Sequence, residues 1–143
     1  MAQGMTAPLY TRDILRLAAN IPGQRGFDEL NGDTETRSPT CGSRMRVAVE
    51  LNGAGQVVAL TQAVEACAFG QAAAALMGRS AQGRTRTDIE TAIGVIEAWL
   101  DGDDAAGDGW PGIAALEPVR RRKGRHGAVL LPFRALLAAM ERR

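Results

Sequence analysis

The chain has 143 residues, 45% of them apolar and 23% charged, with 17 basic against 16 acidic side chains; this is the size and balance of one ordinary globular domain that can bury a core without disulfide or metal staples. A charge so nearly cancelled sets up no global field for nucleic acid or an anionic membrane, and both are set aside as partners. No apolar run approaches the roughly 20 residues that cross a bilayer, and Met1 to Pro8 lacks the charged start and apolar centre of a signal peptide, so a cytoplasmic protein is expected.

Residues 1 to 8 carry no pattern and read as a loose terminus. From Thr11 to Asn20, Ile14, Leu15, Leu17 and Ala18 fall on one helical face, with Thr11 as N-cap and Asn20-Ile21-Pro22-Gly23 as the stop. The polar stretch Asp33 to Ser38 suits an exposed edge strand. Pro39 then restricts the backbone ahead of Cys41, and Gly42 lets it turn sharply behind. From Ser43 to Leu51 the residues alternate, with Met45, Val47, Val49 and Leu51 on one face and Arg44, Arg46 and Glu50 on the other. Asn52-Gly53-Ala54-Gly55 tolerates positive φ, and Gln56 to Val64 resumes a β-rich run, so a hairpin is predicted.

The alanine-rich stretch Cys67 to Ser80 predicts a helix that ends at Gly78 to Gly83. Cys67 stands at its first turn, where unpaired amide N–H groups favour an anion and so a reactive thiolate. Thr87-Asp88-Ile89-Glu90 has the form of a capping box, opening a helix with Ile89, Ile93, Ile96 and Leu100 on one stripe. Residues 101–109 read as a solvated acidic loop, and Trp110-Pro111 as the start of a short helix through Leu116. Arg120 to Arg125 is basic at five of six positions; such a run is usually solvated, the aspartates of the preceding loop can neutralise part of it, and docking to an acidic partner is the less common use. A last helix is predicted from Pro132 to Met140.

The chemistry-bearing residues are few. Cys41 and Cys67 are the two cysteines, 26 residues apart, and the predicted hairpin starts just after one and ends just before the other, bringing both to one end of the sheet. They could form a disulfide, but in a reducing compartment unpaired thiols are more often buried, metal-binding or reactive. Cys67, in an alanine-rich helix, could equally be an inert core residue. Cys41, in a Pro-Thr-Cys-Gly turn, has no packing face to fill and can present a ligand. His126 is the single histidine, flanked by Gly124 and Gly127. Two thiolates and an imidazole make three ligands, one short of a closed zinc or iron–sulfur site. No Ser-His-acid constellation and no phosphate-binding loop is present, so the chain is not expected to be an enzyme.

At these residues the chain resembles the U-type iron–sulfur cluster assembly scaffolds, the family of IscU, SufU and the N-terminal domain of NifU. The resemblance runs from about Leu9 to Met140. Leu9-Tyr10 through Asn20-Ile21-Pro22 is similar to the family's opening helix. Pro39-Thr40-Cys41-Gly42 resembles its first cysteine turn, and Glu65-Ala66-Cys67-Ala68 the second cysteine motif at the same separation. His126 falls where some members carry a histidine just before a third cysteine. Leu116-Glu117-Pro118-Val119-Arg120 is distantly similar to the Leu-Pro-Pro-Val-Lys chaperone-binding segment.

The resemblance implies a single NifU-N-terminal-like domain over residues 1–143 with an α+β fold: a three-stranded antiparallel sheet packed against about five helices. It implies that a cysteine desulfurase delivers sulfur as persulfide, that iron or a transient [2Fe-2S] cluster is held on Cys41, Cys67 and His126, and that the cluster passes to apo iron–sulfur client proteins. Zinc occupies the same site in some members. Two departures stand out: Ser43 takes the place of the family's aspartate, and Gly127 that of the third cysteine. The ligand set is therefore incomplete, to be completed by a partner, a small thiol or a second subunit; a homodimer would offer four thiolates. The alternatives are a zinc-binding persulfide acceptor of the SufU type and a metal-free interaction module that has lost its ligands.

Overall fold

A computed structural model of the chain describes residues 10–32, 35–39 and 42–142. The terminus at 1–8, Asp33 and Thr34 of the predicted edge strand, and Thr40 and Cys41 of the first cysteine turn lie outside the described residues. The order is α1 (Arg12–Ala18), β1 (Glu35–Arg37), β2 (Arg44–Leu51), β3 (Val57–Glu65), α2 (Ala68–Ser80), α3 (Arg86–Leu100), a 3-10 helix (Ile113–Arg121) and α4 (His126–Glu141), with three single-turn 3-10 segments at Phe27–Glu29, Asp104–Ala106 and Lys123–Arg125. The fold is α+β. The sheet is antiparallel throughout, in the order β1-β2-β3, and four α-helices with the nine-residue 3-10 helix complete it.

The alternation of the hairpin appears as predicted: Met45, Val47 and Val49 are buried, while Arg44, Arg46 and Glu50 lie on the other face. Asn52 closes its turn, its Oδ1 accepting from the amides of Ala54 at 2.9 Å and Gln56 at 3.0 Å, with Gly55 at φ +78° where an L-residue would be strained. Register places Arg44 opposite Glu65 and Met45 opposite Val64. The start of β2 and the end of β3 therefore share one edge of the sheet, the end from which α2 leaves.

Helices α1, α3 and α4 border α2 or one another, and α4 also covers β2. The alanines of α2 serve this close packing: Ala72, Ala73, Ala74 and Ala75 are all fully buried, and small side chains let neighbouring backbones approach. Larger groups fill the rest of a continuous cluster, among them Phe69, Trp110 and Phe133. The Trp110 ring meets Phe133 edge-on at 5.0 Å, and its indole N–H donates to the Leu76 carbonyl at 2.8 Å. The buried Gln62 ties three segments together: its amide nitrogen donates to the carbonyls of Pro22 and Ala74 at 3.0 and 3.2 Å.

Three predicted boundaries move. Helix α3 is capped by Thr85, not Thr87. Thr85 Oγ1 accepts from the Asp88 amide at 3.3 Å, while the Asp88 carboxylate accepts from the Thr85 amide at 2.9 Å; the shorter acid fills the role expected of Glu90. The helix expected from Trp110 to Leu116 instead starts at Ile113, after Gly112 at φ +85° breaks the path, and continues as a 3-10 helix through Pro118 to Arg121. Helix α4 begins six residues before Pro132, which lies inside it and is buried. Proline has no N–H to offer the carbonyl four residues back, that of Ala128, and this carbonyl sits against α2, 3.3 Å from where a Cβ on Gly70 would stand.

Candidate functional site

Cys67 is the N-cap of α2, with extended backbone (φ −67°, ψ 173°) and no side-chain bond to the helix amides. It is a free thiol, half-buried and packed against the edge of the core, and its sulfur caps no helix amide. Its carbonyl accepts the Gln71 amide at 2.9 Å, which starts the helix, and the Gln71 side chain donates to the Ala66 carbonyl at 3.1 Å. The backbone on either side of Cys67 is thus held, while the half-buried thiol makes no cap bond.

The segment joining β1 to β2 closes on itself. The Ser38 amide donates to the Ser43 carbonyl at 2.8 Å and the Gly42 amide to the Ser38 carbonyl at 3.1 Å. Gly42 has φ +72°, the sharp turn that the sequence predicted there. Since Arg44 pairs with Glu65, Gly42 and Cys67 each stand two residues beyond one paired position, at the same sheet end. Cys41, the residue before Gly42, is outside the described residues. Ser43 is buried.

Ion pairs brace this end of the sheet. Arg44 Nε donates to Glu65 at 2.8 Å and its terminal nitrogen reaches Glu35 at 3.3 Å; Arg46 donates to Glu35 at 3.1 Å. Both guanidinium groups lie over the Phe27 ring, at 4.2 and 5.2 Å from its centroid. The hydrogen bond from Arg44 holds the Glu65 carboxyl below its usual range, and the same bond raises the Arg44 guanidinium. At Glu35 desolvation opposes ionisation, yet the bond from Arg46 and the charges of Arg37, Arg44 and Arg46 prevail and lower its carboxyl too. Sequence reasoning assigned no role to Glu35 and Glu65; the period-2 pattern of β2 put the arginines on the outer face, and acidic partners for them were the missing step.

His126 opens α4. Its Nε2 stands 3.1 Å from the Val119 carbonyl and 3.0 Å from that of Arg120. Carbonyls only accept, so Nε2 carries the hydrogen and, in the neutral ring, Nδ1 keeps the lone pair. The first turns of α4 and α2 meet where Ala128 faces Gly70. The structure thus brings together the helix starts that carry His126 and Cys67. Among the described residues, which do not include Cys41, no three His, Cys, Asp or Glu side chains are placed to hold a metal ion. A groove of about 580 Å³ lined by Leu17, Leu76, Arg16 and Arg79 lies between α1, α2 and the 3-10 helix and includes neither Cys67 nor His126.

A short antiparallel sheet ending at an uncapped, thiol-bearing helix start, with α4 packed on the same helix, defines an α+β domain with the fold of the U-type scaffolds. The resemblance extends over nearly the whole chain. A crystal structure of a nitrogen-fixing NifU-like protein (N-terminal) from Brucella abortus superposes with a TM-score of 0.74 at 27% identity, covering 94% of this chain and 96% of that one. A putative iron–sulfur cluster assembly scaffold protein for the SUF system from Fervidobacterium islandicum superposes with a TM-score of 0.77 at 18% identity, covering 92% and 96%. No family model matches the sequence, and no curated protein does. Among the described residues no helix is long and apolar enough to cross a membrane.

Proposed function

We propose that the chain is an iron–sulfur cluster assembly scaffold or carrier, receiving sulfur from a cysteine desulfurase and holding iron or a [2Fe-2S] cluster in transit to client proteins. The observation that carries this reading is the pairing of Arg44 with Glu65, which puts the Gly42 turn and the thiol of Cys67 at one end of the sheet. Two thiolates, from Cys41 and Cys67, are the sulfur acceptors and cluster ligands. His126, with Nε2 bound to carbonyls, offers Nδ1 as a third donor, the arrangement in which a ligating imidazole is fixed through its other nitrogen. The fold supports the reading, as does the description of the Fervidobacterium islandicum protein that shares it as a putative iron–sulfur cluster assembly scaffold.

Sulfur transfer needs little from the protein beyond an accessible thiolate. A thiolate of this chain attacks the outer sulfur of the desulfurase persulfide; the new S–S bond forms as the old one breaks, and the desulfurase leaves as thiolate with the proton remaining on the transferred sulfur. Ser43 and Gly127 supply no ligand at neutral pH, so the cluster takes its remaining ligand from a partner, a small thiol or a second copy. Anaerobic reconstitution, followed by assay of iron, zinc and acid-labile sulfide, tests the reading. Iron and sulfide bound by the wild type and lost in Cys41→Ser and Cys67→Ser are expected. Zinc without sulfide would shift the assignment to a persulfide acceptor, and neither metal nor sulfur uptake would leave an interaction module.

A further inference from the structure

We propose that Arg121, Arg122, Lys123 and Arg125 form a docking platform for an acidic protein surface, placed beside the helix start that carries Cys67. All four are exposed, and among the described residues none takes part in an ion pair. The neighbouring Arg120 behaves differently. Its guanidinium is paired with Asp104 at 2.7 Å and Glu117 at 3.0 Å, donates to the Trp99 carbonyl at 2.7 Å and stacks on the Trp99 ring. Asp104 and Glu117 are therefore engaged by Arg120, and although Arg121 and Lys123 share a groove with Asp101 and Glu117, none of the next four cations closes an ion pair with them.

Their backbone is fixed. The Arg122 amide donates to the Val119 carbonyl and the Arg125 amide to the Arg122 carbonyl, both at 2.8 Å, and the His126 ring binds the carbonyls of Val119 and Arg120. A charged turn held in this way loses less freedom on binding than a loose loop. Its position is fixed too. Arg125 precedes α4, whose Ala128 packs against Gly70 of α2, three residues after Cys67; one turn along each helix puts the Arg125 backbone, where the run ends, within roughly 15 Å of the Cys67 backbone.

The charge distribution favours protein over nucleic acid. The chain has 17 basic and 16 acidic residues; without these four, thirteen basic residues face sixteen acidic ones. A small positive turn on a mildly negative body orients a partner with a local acidic patch, whereas a long phosphate backbone would also meet the negative remainder. Among the described residues no aromatic ring is fully exposed for base stacking: Trp99 and Trp110 are buried, and Tyr10 and Phe27 are half-buried. The proposal deepens the scaffold reading, on which it rests for the partner's role, by giving that partner a surface chemistry.

The test titrates isotope-labelled protein with a short Asp/Glu-rich peptide, its Asn/Gln counterpart and a single-stranded oligonucleotide of similar length. Shifts confined to residues 119–129 are expected with the acidic peptide and not with the neutral one. The quadruple variant Arg121→Gln, Arg122→Gln, Lys123→Gln, Arg125→Gln, checked for an unchanged melting temperature, should bind the acidic peptide about tenfold more weakly, and wild-type binding should fall several-fold between about 50 and 200 mM salt. Equal affinity in the variant, shifts elsewhere on the molecule, or tighter binding of the oligonucleotide would overturn the proposal. No metal or sulfur enters this readout, so its failure leaves the scaffold reading standing, and failure of cluster assembly leaves the platform standing.

Discussion

Among the described residues the α-helices begin in two ways. Helices α1 and α3 start on threonines whose hydroxyls accept an amide of the first turn, from Ile14 and Asp88, and α3 adds the reciprocal bond from Asp88. Helices α2 and α4 start on Cys67 and Arg125, neither of which makes a side-chain cap, and neither helix has an acidic residue in its first turn. The two uncapped starts are the ones that touch each other, at Gly70 and Ala128. A serine or aspartate at position 67 would bind those amides and steady the helix; a cysteine gives up that bond and keeps its sulfur available. The contrast teaches that side-chain capping is placed on the helix starts away from the proposed site and withheld at it, where the bracing comes instead from the sheet end.

Substitution at the contact between the uncapped starts should have the largest effect. A Cβ at Gly70 would lie 2.6 Å from the Ala66 Cβ, so Gly70→Val is expected to destabilise the fold by about 3 kcal/mol in urea unfolding and to speed alkylation of Cys67 as the two helix starts separate. Thr85→Ala at the capped start should cost about 1 kcal/mol by the same measurement and leave the alkylation rate unchanged. The Asp88 carboxyl sharpens this point. It is held below its ordinary value of 3.8 first by the Thr85 amide and then by the Thr85 hydroxyl. Its contribution is therefore complete above that value and fades as pH falls through the lower folded value. Asp88→Asn should remove this acid-side loss from a series of unfolding curves. The smallest effect is the most diagnostic: Cys67→Asp should stabilise metal-free protein by about 0.5 kcal/mol while abolishing sulfur acceptance at that position. A destabilised Cys67→Asp would mean that the packing of the thiol against the core outweighs the cap it forgoes.

The sheet and its hairpin were legible because their signals are local: the alternation of Met45, Val47 and Val49 and the Asn52 turn depend on nothing remote. Helix boundaries were less so. Pro132 has the form of a first helical residue, and only the contact of α4 with Gly70 explains why the helix starts before it. Thr87 and Thr85 both precede an acid by three positions, and the choice between them is made by side-chain reach. At the site, Cys67 and its helix start could be read from sequence. The engagement of His126 could not, since the carbonyls of Val119 and Arg120 reach it along a 3-10 path with no periodic signature. The bracing of Arg44 by Glu65 and Glu35 depends on cross-strand register, which alternation alone does not specify.

Trp99 and Trp110 are the only indoles, and both sit in the helical half. Trp110 binds the carbonyl of Leu76, nine residues and roughly 13 Å along α2 from Cys67. Intrinsic emission will therefore follow loss of the packed helices faithfully and stay silent when a small reagent caps the sulfur. Any assay of thiol events in this protein needs its own reporter, attached at or absorbed by the sulfur itself.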